Sequence, residues 1–120
     1  MVMCKMNELV SEKDVKALEV YLCLTKRPDI YEWQRDVYNL MHWLDITSDN
    51  FALRLKEAYP QLTMHELNFC CLKRMGYSWE EIGGIMKVKS ETVRRYVYRV
   101  YGRLQIQGNK KAFERFIASY

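Results

Sequence analysis

The residues best equipped for chemistry lie between positions 89 and 103. Lys89, Arg94, Arg95, Arg99 and Arg103 supply cations, Ser90 and Thr92 supply hydroxyls, and Tyr98 adds a phenol. Guanidiniums and ammoniums bind phosphate oxygens. A guanidinium also forks onto a guanine edge, and a hydroxyl can serve either partner. The chemistry on offer is recognition of a polyanion.

Such residues need an element that presents them together. Val93, Val97, Val100 and Leu104 recur at helical spacing, so residues 90–104 are predicted to form an amphipathic helix with one narrow apolar stripe. At about 100° per residue, the opposite face carries Arg95, Tyr98, Arg99 and Gly102, flanked by Arg94 and Arg103. Ser90 is expected to cap the first turn with its hydroxyl. Glu91 sets a negative charge at the positive end of the helix dipole. A solvated face, a membrane-surface helix or a partner helix would share this pattern. The segments upstream favour a groove-binding helix.

Thr63 and Glu66 have capping-box spacing, and Leu62 can staple onto Leu67. The helix they start is predicted to run to Met75, with Gly76 as a left-handed terminator. Ser78 with Glu81 and Tyr77 with Ile82 repeat the device for a short helix ending near Met86, with Ile82, Ile85 and Met86 available for burial. A turn over 87–89 leads into the basic helix. After Gly108, residues 109–120 are expected to form a last helix with Phe113, Phe116, Ile117 and Tyr120 on one face. A supporting helix, a helix that crosses the backbone and a third that enters the major groove make a helix-turn-helix unit.

The first 58 residues read as a helical extension. Residues 1–10 show little periodicity and are expected to be a loose lead-in or a partial helix. Ser11 can cap a helix with a Val15, Leu18, Leu22 stripe ending near Thr25, and Pro28 breaks the chain. A second helix is predicted from Asp29, with Ile30, Trp33, Val37, Leu40, Met41 and Leu44 on one side. Asp49 or Ser48 is expected to cap a third, carrying Phe51, Leu55 and Tyr59, which Pro60 stops. Every stripe has helical period, so the fold class is all-α.

Composition bounds the rest. At 120 residues, nearly half of them apolar, the chain can bury a core without staples. Cys4, Cys23, Cys70 and Cys71 contain no Cys-x-x-Cys pair, and only His42 and His65 could complete a metal site. Free thiols in a reducing compartment are therefore expected, with no metal and no cofactor. No apolar run has the length of a membrane span, and no signal-peptide core opens the chain, so a cytoplasmic location is expected. Residues 1–60 hold eight Lys/Arg against ten Asp/Glu, net −2, whereas 61–120 hold eleven against five, net +6. A basic half joined to a mildly acidic one suits a polyanion-binding module with an appendage.

Residues from about 59 to 120 resemble the LuxR/GerE-type helix-turn-helix domain of bacterial transcription regulators. The matching pieces are Leu62-Thr63 with Glu66, Gly76-Tyr-Ser78, Glu81-Ile82, Val88-Lys-Ser90, Thr92-Val93, and Arg103-Leu104 followed by Ile106. Phe51 to Pro60 looks like the lead-in of the variant that closes some larger multi-domain signalling regulators. The resemblance implies a four-helix DNA-binding module, often dimeric through its last helix. It also implies base contacts from Arg94, Arg95 and Tyr98, and phosphate contacts from Thr92 and Arg103. Gly83 stands where the family usually has Ala, Tyr96 where it has His, Gly102 where a basic residue is common, and Lys73 where an aliphatic one is normal. Leu67 and Cys71 are apolar where the family is typically charged. They lie four apart on one helix face, so a cover is expected from the N-terminal helices, packed there or dimerising there.

The expected function is a sequence-specific DNA-binding transcriptional regulator, or the output domain of a larger one. Double-stranded DNA is the expected partner, read as a homodimer, with RNA polymerase or an upstream signalling protein as further partners and no membrane. Residues 1–58 leave no room for an ordinary sensor domain, so regulation is expected from a partner or from a longer protein. One alternative is a promoter binder like region 4 of a sigma factor, but the first sixty residues are too poor in basic aromatics for a melting region. The other is an interaction module whose basic face docks an acidic partner. An enzyme is disfavoured: His42 and His65 lie in different helices without a matched nucleophile, His65 is expected to be solvated, and capping accounts for Glu80-Glu81.

Overall fold

A computed structural model describes residues 11–106 and 110–120. The expectation for residues 1–10, Cys4 among them, lies outside the described residues. Among those described, the fold is all-α: α1 (Glu12–Lys26), a single 3-10 turn (Pro28–Ile30), α2 (Trp33–Thr47), α3 (Phe51–Ala58), α4 (Met64–Arg74), α5 (Trp79–Met86), α6 (Ser90–Leu104) and α7 (Lys110–Ser119), with no strand. No helix there is long and apolar enough to cross a membrane. One apolar cluster runs through both halves of the chain, from Val20 and Leu24 in α1 to Phe113 and Ile117 in α7.

In the N-terminal half the structure corrects three expectations. α1 starts from the Ser11 cap as expected, its hydroxyl accepting from Asp14 N–H. Its buried face, however, is Ala17, Val20 and Leu24, while Val15 and Leu22 are 42% and 41% exposed. Small Ala17 lets α2 approach, and the pairing is fixed by polar and aromatic groups on the same side. Tyr21 stacks on Trp43 at 4.5 Å, and His42 Nε2 meets Asp14 Oδ1 at 2.6 Å. Counting large aliphatics alone picked a stripe on nearly the opposite face of the helix.

The second helix does not begin at Asp29. Pro28–Ile30 closes a separate turn, Ile30 is 47% exposed, and α2 starts at Trp33. Extended Tyr31 lies between them, fully buried, its hydroxyl donating to Asn68 of α4. Asp36 holds this junction: its carboxylate accepts the Glu32 N–H at 3.0 Å and pairs with Arg35, which also donates to Ile30 O. α3 takes no cap from Asp49 or Ser48. Asn50 takes the N-cap position in a left-handed conformation without a side-chain bond, and Asp45 Oδ1 accepts the Leu53 N–H instead.

The C-terminal half keeps both capping boxes, Thr63 with Glu66 and Ser78 with Glu81. α4, α5 and α6 all end in a left-handed residue, Gly76, Lys87 and Gln105. In each case the next amide reaches back to a carbonyl five residues earlier, Tyr77 to Leu72, Val88 to Gly83 and Ile106 to Tyr101. α6 departs from the expected cap. Lys89 is the N-cap and makes no side-chain bond, and Ser90 is the first helical residue. α7 folds back on its own chain. Phe113 and Ile117 are buried, and Phe116 and Tyr120 meet Tyr59 and Phe51 edge-on. Arg54 and Arg74 donate to its last carbonyls, at Tyr120 and at Ile117 and Ala118, where orphan acceptors and the negative dipole end call for cations. The apolar stripe of the last helix thus packs within the chain.

Leu67 and Cys71 are both fully buried, and the N-terminal half reaches α4 through Tyr31. Leu67→Glu would set an unpaired carboxylate in that core. It is expected to lower stability by about 3–5 kcal/mol. An unchanged urea midpoint and association state would show that α4 needs no such cover.

Candidate nucleic-acid interface

α6 sorts its residues as its period requires. Val93, Val97, Val100, Tyr101 and Leu104 are buried. Arg94, Arg95, Tyr98, Arg99 and Gly102 are exposed, Tyr98 at 65%. Lys89 and Ser90 are exposed at the helix start, and Thr92 is half-buried. The structure therefore brings Lys89, Ser90, Arg94, Arg95, Tyr98 and Arg99 onto one accessible surface. Among the described residues, no carboxylate lies within ion-pair distance of Arg94, Arg95 or Arg99. The Arg99 guanidinium sits over the Tyr96 ring at 5.7 Å.

α5 holds α6 at close range. Gly83 makes this possible, because a Cβ there would stand 3.3 Å from Val93 Cγ2 and 3.4 Å from Val88 O. An alanine would gain helix propensity but would require Val93 to give way slightly.

Arg103 differs from the other cations. Its Nε lies 2.7 Å from Oε1 of Glu66, and the side chain is only 39% exposed. The Nε–H is not aligned on that oxygen and makes no hydrogen bond, so the attraction is Coulombic. The same Glu66 oxygen accepts the Thr63 N–H at 2.9 Å. One buried carboxylate thus caps α4 and grips the last turn of α6.

Sequence reasoning missed the aromatic cluster behind α6. His65 is not solvated: it stacks on Trp33 at 4.4 Å, meets Tyr96 edge-on at 4.4 Å, and touches Phe69 at 5.2 Å. Tyr96 in turn stacks on Phe69 at 5.0 Å. The cluster links α2, α4 and α6. The only signal for it in the sequence was Tyr96 itself, an aromatic just inside the basic face. Burial lowers the His65 pKa from its ordinary value, against an opposing pull from Glu66. Lys73 was also missed. Its Nζ lies over the Trp79 ring at 4.9 Å, donates to Tyr77 O and pairs with Glu114, so it ties α4 to α5 and α7. Cys70 and Cys71 are free and buried, with burial pushing both thiols up, Cys70 to about 12. Among the described residues no group of His, Cys, Asp and Glu could hold a metal ion.

Two outcomes follow from these contacts. Arg103→Ala strands the Glu66 charge in the interior, whereas Glu66→Gln keeps an oxygen for Thr63 and frees a guanidinium that can hydrate. Arg103→Ala is therefore expected to cost about 2–4 kcal/mol and Glu66→Gln clearly less. Equal losses in denaturant titrations would remove the buried carboxylate from the account. For His65, the unfolded chain binds its proton more readily than the folded one. Stability is thus expected to fall as pH drops below about 6.5 and through the lowered folded value. His65→Phe should flatten that limb of the melting-temperature profile, and an unaltered limb would place the titration elsewhere.

No family model matches the chain, and no curated protein or solved structure is significantly similar to it.

Proposed function

We propose that this chain is a sequence-specific DNA-binding transcriptional regulator, or the output domain of one, with α6 entering the major groove. The observation that carries the reading is the face of α6. Three unpaired arginines and an exposed tyrosine stand opposite a fully buried valine stripe, on a helix fixed at both ends. A solvated face needs no such fixing, whereas a groove reader must hold its long side chains on a stage that does not shift. The capped α4, the short capped α5 and the tight turn into α6 also fit the order of a LuxR/GerE-type module, the family that residues 59–120 resemble. In this reading Arg95 and Tyr98 reach base edges, Arg94 and Arg99 flank them, and Lys89, Ser90, Thr92 and Arg103 bind phosphates. With the α7 stripe used internally, the proposal does not require a dimer.

Arg95→Ala tests it. Arg95 stands mid-face near the start of α6 and has no structural partner. Its loss is expected to cost about 1–3 kcal/mol on a duplex selected from a random pool and much less on a scrambled one. Lys89→Ala should weaken both alike and reduce the salt slope by about one, as one released counterion requires. Titrations at several salt concentrations separate the two. Indistinguishable variants, or binding to an acidic protein in place of DNA, would overturn the reading.

A further inference from the structure

Beside the outward face of α6 lies a cleft of about 580 Å³, bounded by the start of α5, the buried edge of α6 and the first turn of α7. Its size falls within the range of small-molecule sites, about 300–1,000 Å³. The walls are apolar and aromatic: Val93, Val97, Trp79 and Tyr101. Phe113 backs both rings, 5.5 Å from each centroid. Two of these residues carry polar atoms with no partner. Among the described residues, Trp79 Nε1–H and the Tyr101 hydroxyl are both shut off from solvent and make no hydrogen bond, and Tyr101 as a whole is 5% exposed. Buried donors are nearly always satisfied, and leaving one unmet is destabilising. Toward the mouth the charges change. Arg94 and Lys110 are exposed there with a single acid, Glu80, so the rim is net cationic.

We infer that this cleft is a binding site for a small planar organic monoanion that carries a hydrogen-bond acceptor at the end remote from its charge. The anionic group lies between Arg94 and Lys110, the ring fills the space over Val93 and Val97, and a small turn of the Trp79 and Tyr101 rings opens their buried donors to the inner oxygen. A backbone phosphate would use the cationic rim but has no apolar body for the interior. The site stands on its own lining. Its regulatory consequence rests on the DNA-binding reading, because Ser90, Arg94 and Tyr98 belong to both surfaces. A bound anion and a duplex therefore exclude one another.

The test titrates para-hydroxybenzoate into the full chain and follows the three indole N–H resonances by NMR, with that of Trp79 assigned through Trp79→Phe. The Trp79 signal is expected to move saturably while those of Trp33 and Trp43 stay in place. Arg94→Gln and Tyr101→Phe should each weaken binding about five- to ten-fold. Benzoate, lacking the inner oxygen, and para-hydroxybenzamide, lacking the charge, should bind more weakly than the parent. Tyr101→Phe removes an unpartnered hydroxyl, so its melting temperature should hold or rise while its affinity falls, a combination that a merely structural tyrosine would not give. A stationary Trp79 signal, or equal affinities across the variants and analogues, overturns the inference. Competition with duplex is scored separately. A moving indole without any DNA binding leaves the site and removes the regulator. DNA binding with a stationary indole does the reverse, and simultaneous occupancy by both ligands ends the exclusion claim.

Discussion

A carboxylate that is 3% exposed must be compensated, and at Glu66 the compensation is what joins α4 to α6. The Thr63 amide fixes the start of α4, and Arg103 draws in the last turn of α6. If the carboxylate leaves its place, α4 loses its cap and Arg103 its anchor together. The remaining contacts can then be modest. Gly83 brings α5 against Val93, and the valine stripe needs only to fill the angle between the helices. A basic helix without such an anchor would have to be held by apolar area alone, and a stripe of valines is narrow for that purpose.

The acidic half connects through polar contacts as well as apolar ones. Asn68 is fully buried in α4. It accepts from Tyr31 on one side and donates to Met86 Sδ at 2.8 Å on the other, so one amide bridges the N-terminal segment and the end of α5. Tyr77 adds a bond to Leu24 O at 3.3 Å. Together with the Trp33–His65–Tyr96 contacts, these make the N-terminal half part of the support beneath α6. A change at α2 can therefore be felt at α6 through rings that touch.

Much of the C-terminal half was legible because its signals are local. Thr63-x-x-Glu66, Ser78-x-x-Glu81 and Gly76 specify caps within four residues, and the α6 stripe repeats four times. The failures were at places where a distant group decides. Tyr31 leaves the helix because Asn68 is there to receive its hydroxyl. α1 turns Ala17 inward because Asp14 and Tyr21 have partners on α2. The terminators Lys87 and Gln105 carried no glycine to announce them. Each holds a left-handed conformation costing about 1–2 kcal/mol, offset by the amides that reach back to Gly83 and Tyr101. Among the interface residues, exposure followed from period alone. That Arg103 was spoken for did not, since its partner lies 37 residues upstream in another helix.

The exposed face of α6 is not uniformly restrained. Long side chains lose up to about 2 kcal/mol of rotamer freedom when a ligand fixes them, so any prior restraint lowers that cost. Arg99 is partly restrained over Tyr96, which is itself stacked on Phe69, and Tyr98 leans edge-on against buried Tyr101 at 6.3 Å. Arg94 and Arg95 have neither ring nor carboxylate to hold them. Arg99 and Tyr98 would thus be fixed by a ligand at lower entropic cost than their neighbours. In the proposed docking, the unrestrained Arg95 would lose the most freedom on meeting a base edge, so a mismatched edge there would be the least compensated. The same freedom lets Arg94 turn toward the neighbouring cleft that it lines, so it is the residue the two proposed ligands would share.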